Sequence, residues 1–352
     1  MRRVMKWAAV ASTAALALTA CGGGSDTGSA GGGATNGGGT ASSSALKIGL
    51  AYDIGGRGDQ SFNDSAAAGL DKAVSELGAQ KQEAEASNGE AESAKEDRLR
   101  TLAQAGYSPI IAVGFAYATS LTKVAAEFPE IKFAIVDSSD VKANNVTNLV
   151  FAENEGSFLV GAAAALKSKK ANVGFVGGVQ TPLIAKFEAG YEAGAKAVNP
   201  KITVQKKYLT QPPDFSGFND PAKGKTAAQG MIDSGADVIY HAAGGSGSGV
   251  FEAAKAGNAK AIGVDSDQAK TAAPEVQDVI LTSMVKKVDV AVFDFIKSVQ
   301  DGSVKAGEQV YDLKRGGVDY ATTGGQVDDI KTKLDDYKKQ IIDGKITVPT
   351  AP

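Results

Sequence analysis

The sequence predicts an α/β protein built as two doubly wound lobes joined by a multi-strand hinge. Three observations carry that prediction. From Leu46 onward, short apolar runs alternate with amphipathic stretches of helical period. The alternation breaks near residue 150 and then resumes. The chain is 352 residues long, which suggests two lobes rather than one. Apolar strands alternating with helices form right-handed βαβ units, whose parallel sheets are covered on both faces.

The first element is a leader. Arg2, Arg3 and Lys6 flank the start of an apolar run over 7–20, and Leu18-Thr19-Ala20 stand immediately before Cys21, the only cysteine. A basic region, a short apolar core and small residues before a cleavage point make a secretory signal over 1–20, and the run is too short to span a bilayer. Leu-Thr-Ala-Cys resembles the bacterial lipobox, which implies cleavage before Cys21 and acylation of its thiol and new amino terminus. Two or more acyl chains hold a protein stably on a membrane face, and with no second cysteine Cys21 has no disulfide partner within the chain. The lipidated cysteine and linker occupy 21–45. This segment is almost entirely Gly, Ser, Ala and Thr, a composition that cannot bury apolar surface. Scaling as about 5–6 Å × √n, it reaches roughly 25–30 Å.

In the globular part, a strand over 46–51 leads into a helix over 61–77. A strand over 110–113 leads into a helix over 121–128, and a strand over 133–136 follows. Asn148-Leu149-Val150-Phe151 comes after Asp137 with no long helix between them, which marks a crossing to the second lobe. There the pattern predicts strands over 173–176, 203–208, 238–240 and 261–264, and helices over 182–198, 221–234 and 249–256. The run over 279–284 reads as a return crossing, with a helix over 286–299 packed on the first lobe. A third crossing over 310–313 leaves a helix over 327–342 on the second. The lobes are therefore expected at 46–152 plus 281–309 and at 153–280 plus 310–352, with ligand binding beyond the carboxyl ends of the strands.

Charge and residue inventory exclude several function classes. Loss of the leader makes the remainder three charges more negative than the −3 of the whole chain, which opposes binding to a phosphate backbone. No later run is long enough for a membrane helix. His241 is the only histidine, so a Ser-His-Asp triad or multi-histidine metal site has no supporting motif. The glycines of 244–249 fail the dinucleotide fingerprint at Val250, and Gly224-Lys225-Thr226 fails the P-loop pattern at Asn219.

Two loops remain as candidate sites. After the first strand come Asp53, a glycine-rich turn, Asp59, Ser61, Phe62 and Asn63. Ser61 can cap the following helix, leaving Phe62 and Asn63 in its first turn at the cleft mouth. An aromatic face beside an amide suits a planar heterocycle, although spacing alone also fits Phe62 as a core residue. At 263–268, Asp265 and Asp267 fit either a ligand acceptor with a cap, or paired carboxylates for catalysis or metal binding.

Four segments together carry a family resemblance: Gly-Gly-x-x-Asp-x-Ser-Phe-Asn over 55–63, Val-Gly-Phe-Val-Gly-Gly over 173–178 followed by 182–190, Gly-Val-Asp-Ser-Asp-Gln over 263–268, and Leu-Thr-Ser-Met-Val-Lys-Lys-Val-Asp over 281–289. They resemble the basic membrane protein, or PnrA-like, family of ABC transporter substrate-binding lipoproteins. The resemblance implies a type I periplasmic-binding-protein fold and a monomeric receptor on the extracytoplasmic face of a cell membrane, with a purine nucleoside as ligand and an ABC permease as partner. It implies no cofactor and no catalysis. By motif, Phe62 supplies one stacking face for the base and Tyr240, beside the turn of Gly244 and Gly245, the other. Asp53 and Asn63 read the base edge, with Asp137 a further candidate. Asp265 accepts from ribose hydroxyls and Lys286 donates to them, with neighbouring Lys287 as the alternative donor. A sugar receptor of the same fold and an extracytoplasmic nucleoside-acting enzyme stay open beside this reading.

Overall fold

The computed structural model describes residues 45–352; Cys21, the signal and the linker up to residue 44 lie outside the described residues. In chain order the first elements are β1 (Lys47–Ala51), α1 (Phe62–Leu77), β2 (Gln80–Ala84), α2 (Glu92–Gln104), β3 (Ile110–Ala112), α3 (Ala118–Glu127), β4 (Phe133–Val136) and β5 (Val146–Phe151). Next come α4 (Glu153–Lys167), β6 (Asn172–Val179), α5 (Pro182–Val198), β7 (Thr203–Thr210), α6 (Pro221–Asp233), β8 (Val238–Ala242), α7 (Gly247–Ala256), β9 (Lys260–Asp265) and α8 (Gln268–Thr271). The chain closes with β10 (Ile280–Lys286), α9 (Val288–Gln300), β11 (Gly307–Tyr311), β12 (Val318–Tyr320) and α10 (Lys331–Ile342).

The strands form two six-stranded sheets, ordered β2-β1-β3-β4-β5-β11 and β7-β6-β8-β9-β10-β12. Both lobes thus wind in the same order, each completed by one late strand. The ladders are parallel except where β12 runs antiparallel to β10. The inner strands β3, β4 and β8 are buried along their whole length, as expected of parallel strands covered on both faces.

The lobe boundaries differ from the expected ones at two crossings. β10 is the fifth strand of the second sheet, so residues 281–286 belong to the second lobe and not to the first. A seven-residue strand buried on both faces needs neighbours on both edges, and β9 and β12 supply them. The chain crosses at Lys287, after which α9 packs on α1, where a Cβ on Gly69 would stand 2.4 Å from the Asp289 carbonyl oxygen. β11 then pairs beside β5 in the first sheet, so the next crossing follows Tyr311 rather than starting at Val310. Five elements have no counterpart in the sequence pattern: the short α8 and β12, and three longer ones. β2 is an exposed edge strand, α2 is highly polar with three buried residues, and α4 is apolar around most of its surface.

Glycines set the spacing of α4 against α5. A Cβ on Gly194 would stand 1.9 Å from the Phe158 carbonyl oxygen, and one on Gly190 would stand 2.1 Å from that of Asn154. The two backbones therefore touch, which fixes the helix whose first turns carry Leu183, Ile184 and Phe187. We expect Gly194→Ala to destabilise the protein by about 1–3 kcal/mol through overpacking, read as a fall of several degrees in Tm by circular dichroism; an unchanged Tm would contradict this packing.

Candidate functional site

The carboxyl ends of both sheets face one cavity. In each lobe the strand order reverses about the first strand, the position where doubly wound sheets open a crevice. The first lobe contributes Asp53 and Ile54 after β1, Asp59, Phe62 and Asn63 around the start of α1, Gly114 and Phe115 after β3, and Asp137 after β4. The second contributes Phe187 of α5, Phe218, Ala242, Gly244, Asp265 at the end of β9 and Lys286 at the end of β10.

Lys286 sits at the centre. Its side chain is 2% exposed, and its Nζ lies 2.6 Å from Asp137 Oδ2 and 3.3 Å from Asp265 Oδ1. Phe62, Phe187 and Phe151 surround it, with ring centroids 4.6, 5.4 and 5.5 Å from Nζ. Burial works against the charged lysine, but the carboxylates of Asp137, Asp265 and Glu153 outweigh it and hold its pKa above the ordinary value. The flanking aspartates are matched. Asp137 follows β4 and Asp265 ends β9, at equivalent positions of the two sheets, and both have φ 64°. That left-handed backbone is strained for most residues and best tolerated by Asp and Asn.

The loop of 53–63 is held by its own side chains. Asp59 caps α1: its Oδ1 accepts from the backbone N–H groups of Ser61 and Asp64, and its Oδ2 from that of Asn63. Ser61, expected as the cap, instead donates through Oγ across the cleft to Asp265 Oδ2 and the Val264 carbonyl, both at 3.1 Å. Its hydroxyl is recruited there because the Asp59 carboxylate already satisfies the helix end. Ser266 Oγ returns a bond to the Ser61 carbonyl at 2.9 Å, and Gln268 Nε2 donates to the Gln60 carbonyl at 3.1 Å. Edge-to-face contacts of Phe115 with Phe215 and Phe218 add an aromatic clasp between the lobes.

Asp53 lies at the first-lobe end of the cavity. Its Oδ1 accepts from the Ile54 N–H at 2.8 Å, and its Oδ2 lies against Gly114, where a Cβ would stand 2.3 Å away. Gly114 also has φ 99°, so this close approach requires glycine. Burial pushes the Asp53 carboxyl up to about 7. Near neutral pH it can therefore present either a donor or two acceptors.

Of the predicted site residues, Asp53, Phe62, Asn63, Asp137, Gly244, Asp265 and Lys286 line the cavity. Asn63 does so with its polar atoms engaged: Oδ1 accepts from the Asp53 N–H at 3.0 Å, and Nδ2 donates to Asp59 Oδ2 at 3.1 Å. It shapes the loop. Gly245 is not part of the lining; a Cβ there would meet Asn219 Oδ1 at 3.2 Å, so it packs the cleft rim. Tyr240 is fully buried behind the wall, its hydroxyl 3.1 Å from Ser157 Oγ and its ring against Phe175 and Tyr191. That side chain packs against Ser157 of α4 and Tyr191 of α5 and is not part of the cavity lining. Phe115, Phe187 and Phe218 line the cavity where Tyr240 does not. His241 is likewise buried, its Nε2 3.0 Å from Gln268 Oε1, and burial lowers its pKa to about 4. Phe187 falls within the motif over 182–190 and Asp59 within that over 55–63, but nothing in either spacing distinguished them.

The sequence profile of a family described as PnrA-like ABC transporter substrate-binding proteins matches residues 45–351. An ABC transporter nucleoside-binding protein, BmpA, of Lactococcus lactis subsp. cremoris is 37% identical over 325 residues, spanning 87% of this chain and 89% of its own. An uncharacterised lipoprotein of Pyrococcus abyssi is 36% identical over 287 residues, 78% of this chain and 69% of its own. The crystal structure of an ABC transporter solute-binding protein from Aeropyrum pernix K1 superposes with a TM-score of 0.75 at 29% identity, covering 87% of this chain and 93% of that one.

The site's carboxyls make unliganded stability depend on pH. Asp53 and Glu153 are pushed up to about 7 and Asp59 to about 6, in each case by burial. Between pH 5 and 7 the folded state therefore binds more protons than the unfolded state, and stability falls as pH rises through that window. Differential scanning calorimetry should give a higher Tm at pH 5.5 than at pH 7.5, corresponding to a stability difference of order a few kcal/mol. Asp53→Asn should flatten the profile; a variant retaining the full slope would sink the assignment.

Proposed function

The chain belongs to the PnrA-like family of ABC transporter substrate-binding proteins, and from that premise we propose that it captures a purine nucleoside in the interlobe cavity and delivers it to a membrane permease. The observation that carries the ligand class is the pairing of four phenylalanines with a buried ammonium and acceptor carboxylates in one cavity. Phe62 and Phe115 from one lobe, with Phe187 and Phe218 from the other, offer apolar faces to a flat base. Base stacking on such faces is worth about 1–3 kcal/mol per base. Asp53 meets the base edge. Asp265 accepts from ribose hydroxyls and Lys286 donates to them, each charged hydrogen bond contributing roughly 1.5–3 kcal/mol.

Charge supports a nucleoside over its phosphorylated forms. Asp53, Asp59, Asp137 and Asp265 face the cavity against the single ammonium of Lys286, and an anionic phosphate would meet an excess of like charge. The nucleoside-binding name of the Lactococcus relative agrees with this reading. Binding without chemistry is supported by the position of His241, which is buried beside Gln268 and does not line the cavity.

We assign the protein to the extracytoplasmic face of a membrane, tethered through Cys21. The lipobox-like sequence supports this, as does the lipoprotein of Pyrococcus among the relatives. No helix among the described residues is long and apolar enough to cross a membrane.

Thermal-shift titration should show stabilisation by adenosine, guanosine or inosine following RT ln(1 + [L]/Kd), and none by ribose or galactose. A response to sugars alone would replace this reading. In calorimetric titrations Phe187→Ala and Asp265→Ala should each weaken nucleoside binding about tenfold or more, whereas Tyr240→Phe should leave it within twofold; the reverse pattern would restore Tyr240 to the site. Cys21→Ala should release the protein from membranes in fractionation and lower uptake while leaving Kd unchanged. Persistent membrane association would refute the anchor.

A further inference from the structure

A second chamber adjoins the main cavity, and Phe115, Asp137 and Leu183 line both spaces. Its remaining wall mixes the apolar Val150, Pro182, Pro212 and Phe215 with polar groups, among them Ser138 and Asp140 from the loop after β4, Glu153 at the start of α4 and Lys186 on α5. Two buried acceptor atoms there have no partner among the described residues. Glu153 is fully buried; its Oε2 lies 3.3 Å from Lys186 Nζ, while its Oε1 is unpartnered. Asp137 is 7% exposed; its Oδ2 is occupied by Lys286, while its Oδ1 is unpartnered. A buried acceptor left without a donor costs about 1–3 kcal/mol, and more when charged.

We propose, building on the nucleoside reading, that this chamber receives a hydrogen-bond-donating arm of the bound nucleoside, an amine or hydroxyl on a short linker, with Glu153 and Asp137 as its acceptors. Three carboxyl groups, Asp137, Asp140 and Glu153, face the chamber against Lys186, whose side chain is 34% exposed and has one carboxylate contact. An ammonium or hydroxyl group supplies the missing donors, whereas a carboxylate arm adds a like charge to a confined space. The electrostatic surroundings agree. Burial, together with the neighbouring Asp137 charge, pushes the Glu153 carboxyl up to about 7 despite Lys186 and Lys286. An incoming ammonium would stabilise its ionised form.

Titration calorimetry at pH 7.5 on the wild-type protein tests the proposal. The parent is whichever of adenosine and guanosine binds more tightly. It is compared with its 5′-amino-5′-deoxy and 5′-carboxylic acid derivatives, and with aminoethyl and carboxymethyl derivatives of its exocyclic amine. At one of the two attachment points, the amine derivative should bind within threefold of the parent or tighter, and the carboxylate at least tenfold more weakly than the amine. Glu153→Gln should shrink that amine-to-carboxylate ratio at least fivefold. Lys186→Gln, which removes the competing cation from a half-exposed position, should widen it and provides the readout if Glu153→Gln does not fold. Equal binding of amine and carboxylate arms, exclusion of both at both points, or a ratio unmoved by both variants would overturn the chamber's role. Failure of every unsubstituted nucleoside to bind would instead overturn the nucleoside reading, and this proposal with it.

Discussion

The buried ammonium of Lys286 is the constraint on which the rest of this structure depends. It is carried by the second sheet, yet its shortest contact, 2.6 Å, is to Asp137 of the first lobe. Removing such a charge from water costs several kcal/mol even after relaxation, and the cost is offset only where opposite charge and polarisable faces surround it. Asp137, Asp265 and the three phenylalanine rings meet that condition. Because the partners come from both lobes, the charge balance of the cavity and the apposition of the lobes are one property. Moving the lobes apart would separate the ammonium from its nearest carboxylate.

The symmetry of the fold makes this meeting possible. Both sheets share one strand order, so the ends of β4 and β9 occupy equivalent places and deliver an aspartate each from opposite sides. Both aspartates take the left-handed backbone, which turns the chain sharply at the strand end and costs of order 1–2 kcal/mol in strain. The neighbouring clasp uses backbone atoms for the same purpose. Ser61 reaches the Val264 carbonyl and Asp265, while Ser266 and Gln268 reach back to the carbonyls of Ser61 and Gln60. Apart from the Ser61–Asp265 bond, side-chain identity matters at one end and main-chain position at the other, so a shift of either loop would break several contacts together.

The sequence made the architecture legible because buried parallel strands are written as apolar runs, and the helices between them as amphipathic ones. It obscured elements whose burial is unusual. β2 is polar because it lies at an edge, and α2 because only Leu99, Leu102 and Ala103 are buried, whereas α4 lacks a polar face. The placement of β10 failed for a different reason: a strand leading into a hinge looks the same from either lobe, and only pairing to β9 assigns it. In the site, charged strand-end residues were readable because parallel sheets expose few polar groups there. The choice of aromatic wall was not. Tyr240 and Ala242 stand two residues apart on β8 and both look apolar in sequence, yet Ala242 lines the cavity while Tyr240 reaches the Ser157 hydroxyl behind it. The strand twist and the turn at Gly244 separate the two environments, and neither is visible in residue spacing.

The hydrogen-bond inventory of the cavity argues for how a ligand is selected. Ionised carboxylates only accept, and the buried ammonium is already committed to two of them. Asn63 has its amide engaged within its own loop, leaving little donor capacity on the lining. Asp53 is the adjustable member, since a carboxyl pushed up to about 7 changes from donor to acceptor near neutral pH. A ligand that enters must therefore bring donors of its own and an apolar, flat remainder to lie against phenylalanine. Shape alone would admit many molecules of the right volume. The imbalance between acceptors and donors is what discriminates, because a ligand short of donors leaves buried acceptors unsatisfied, while one that supplies them completes bonds the protein cannot make for itself.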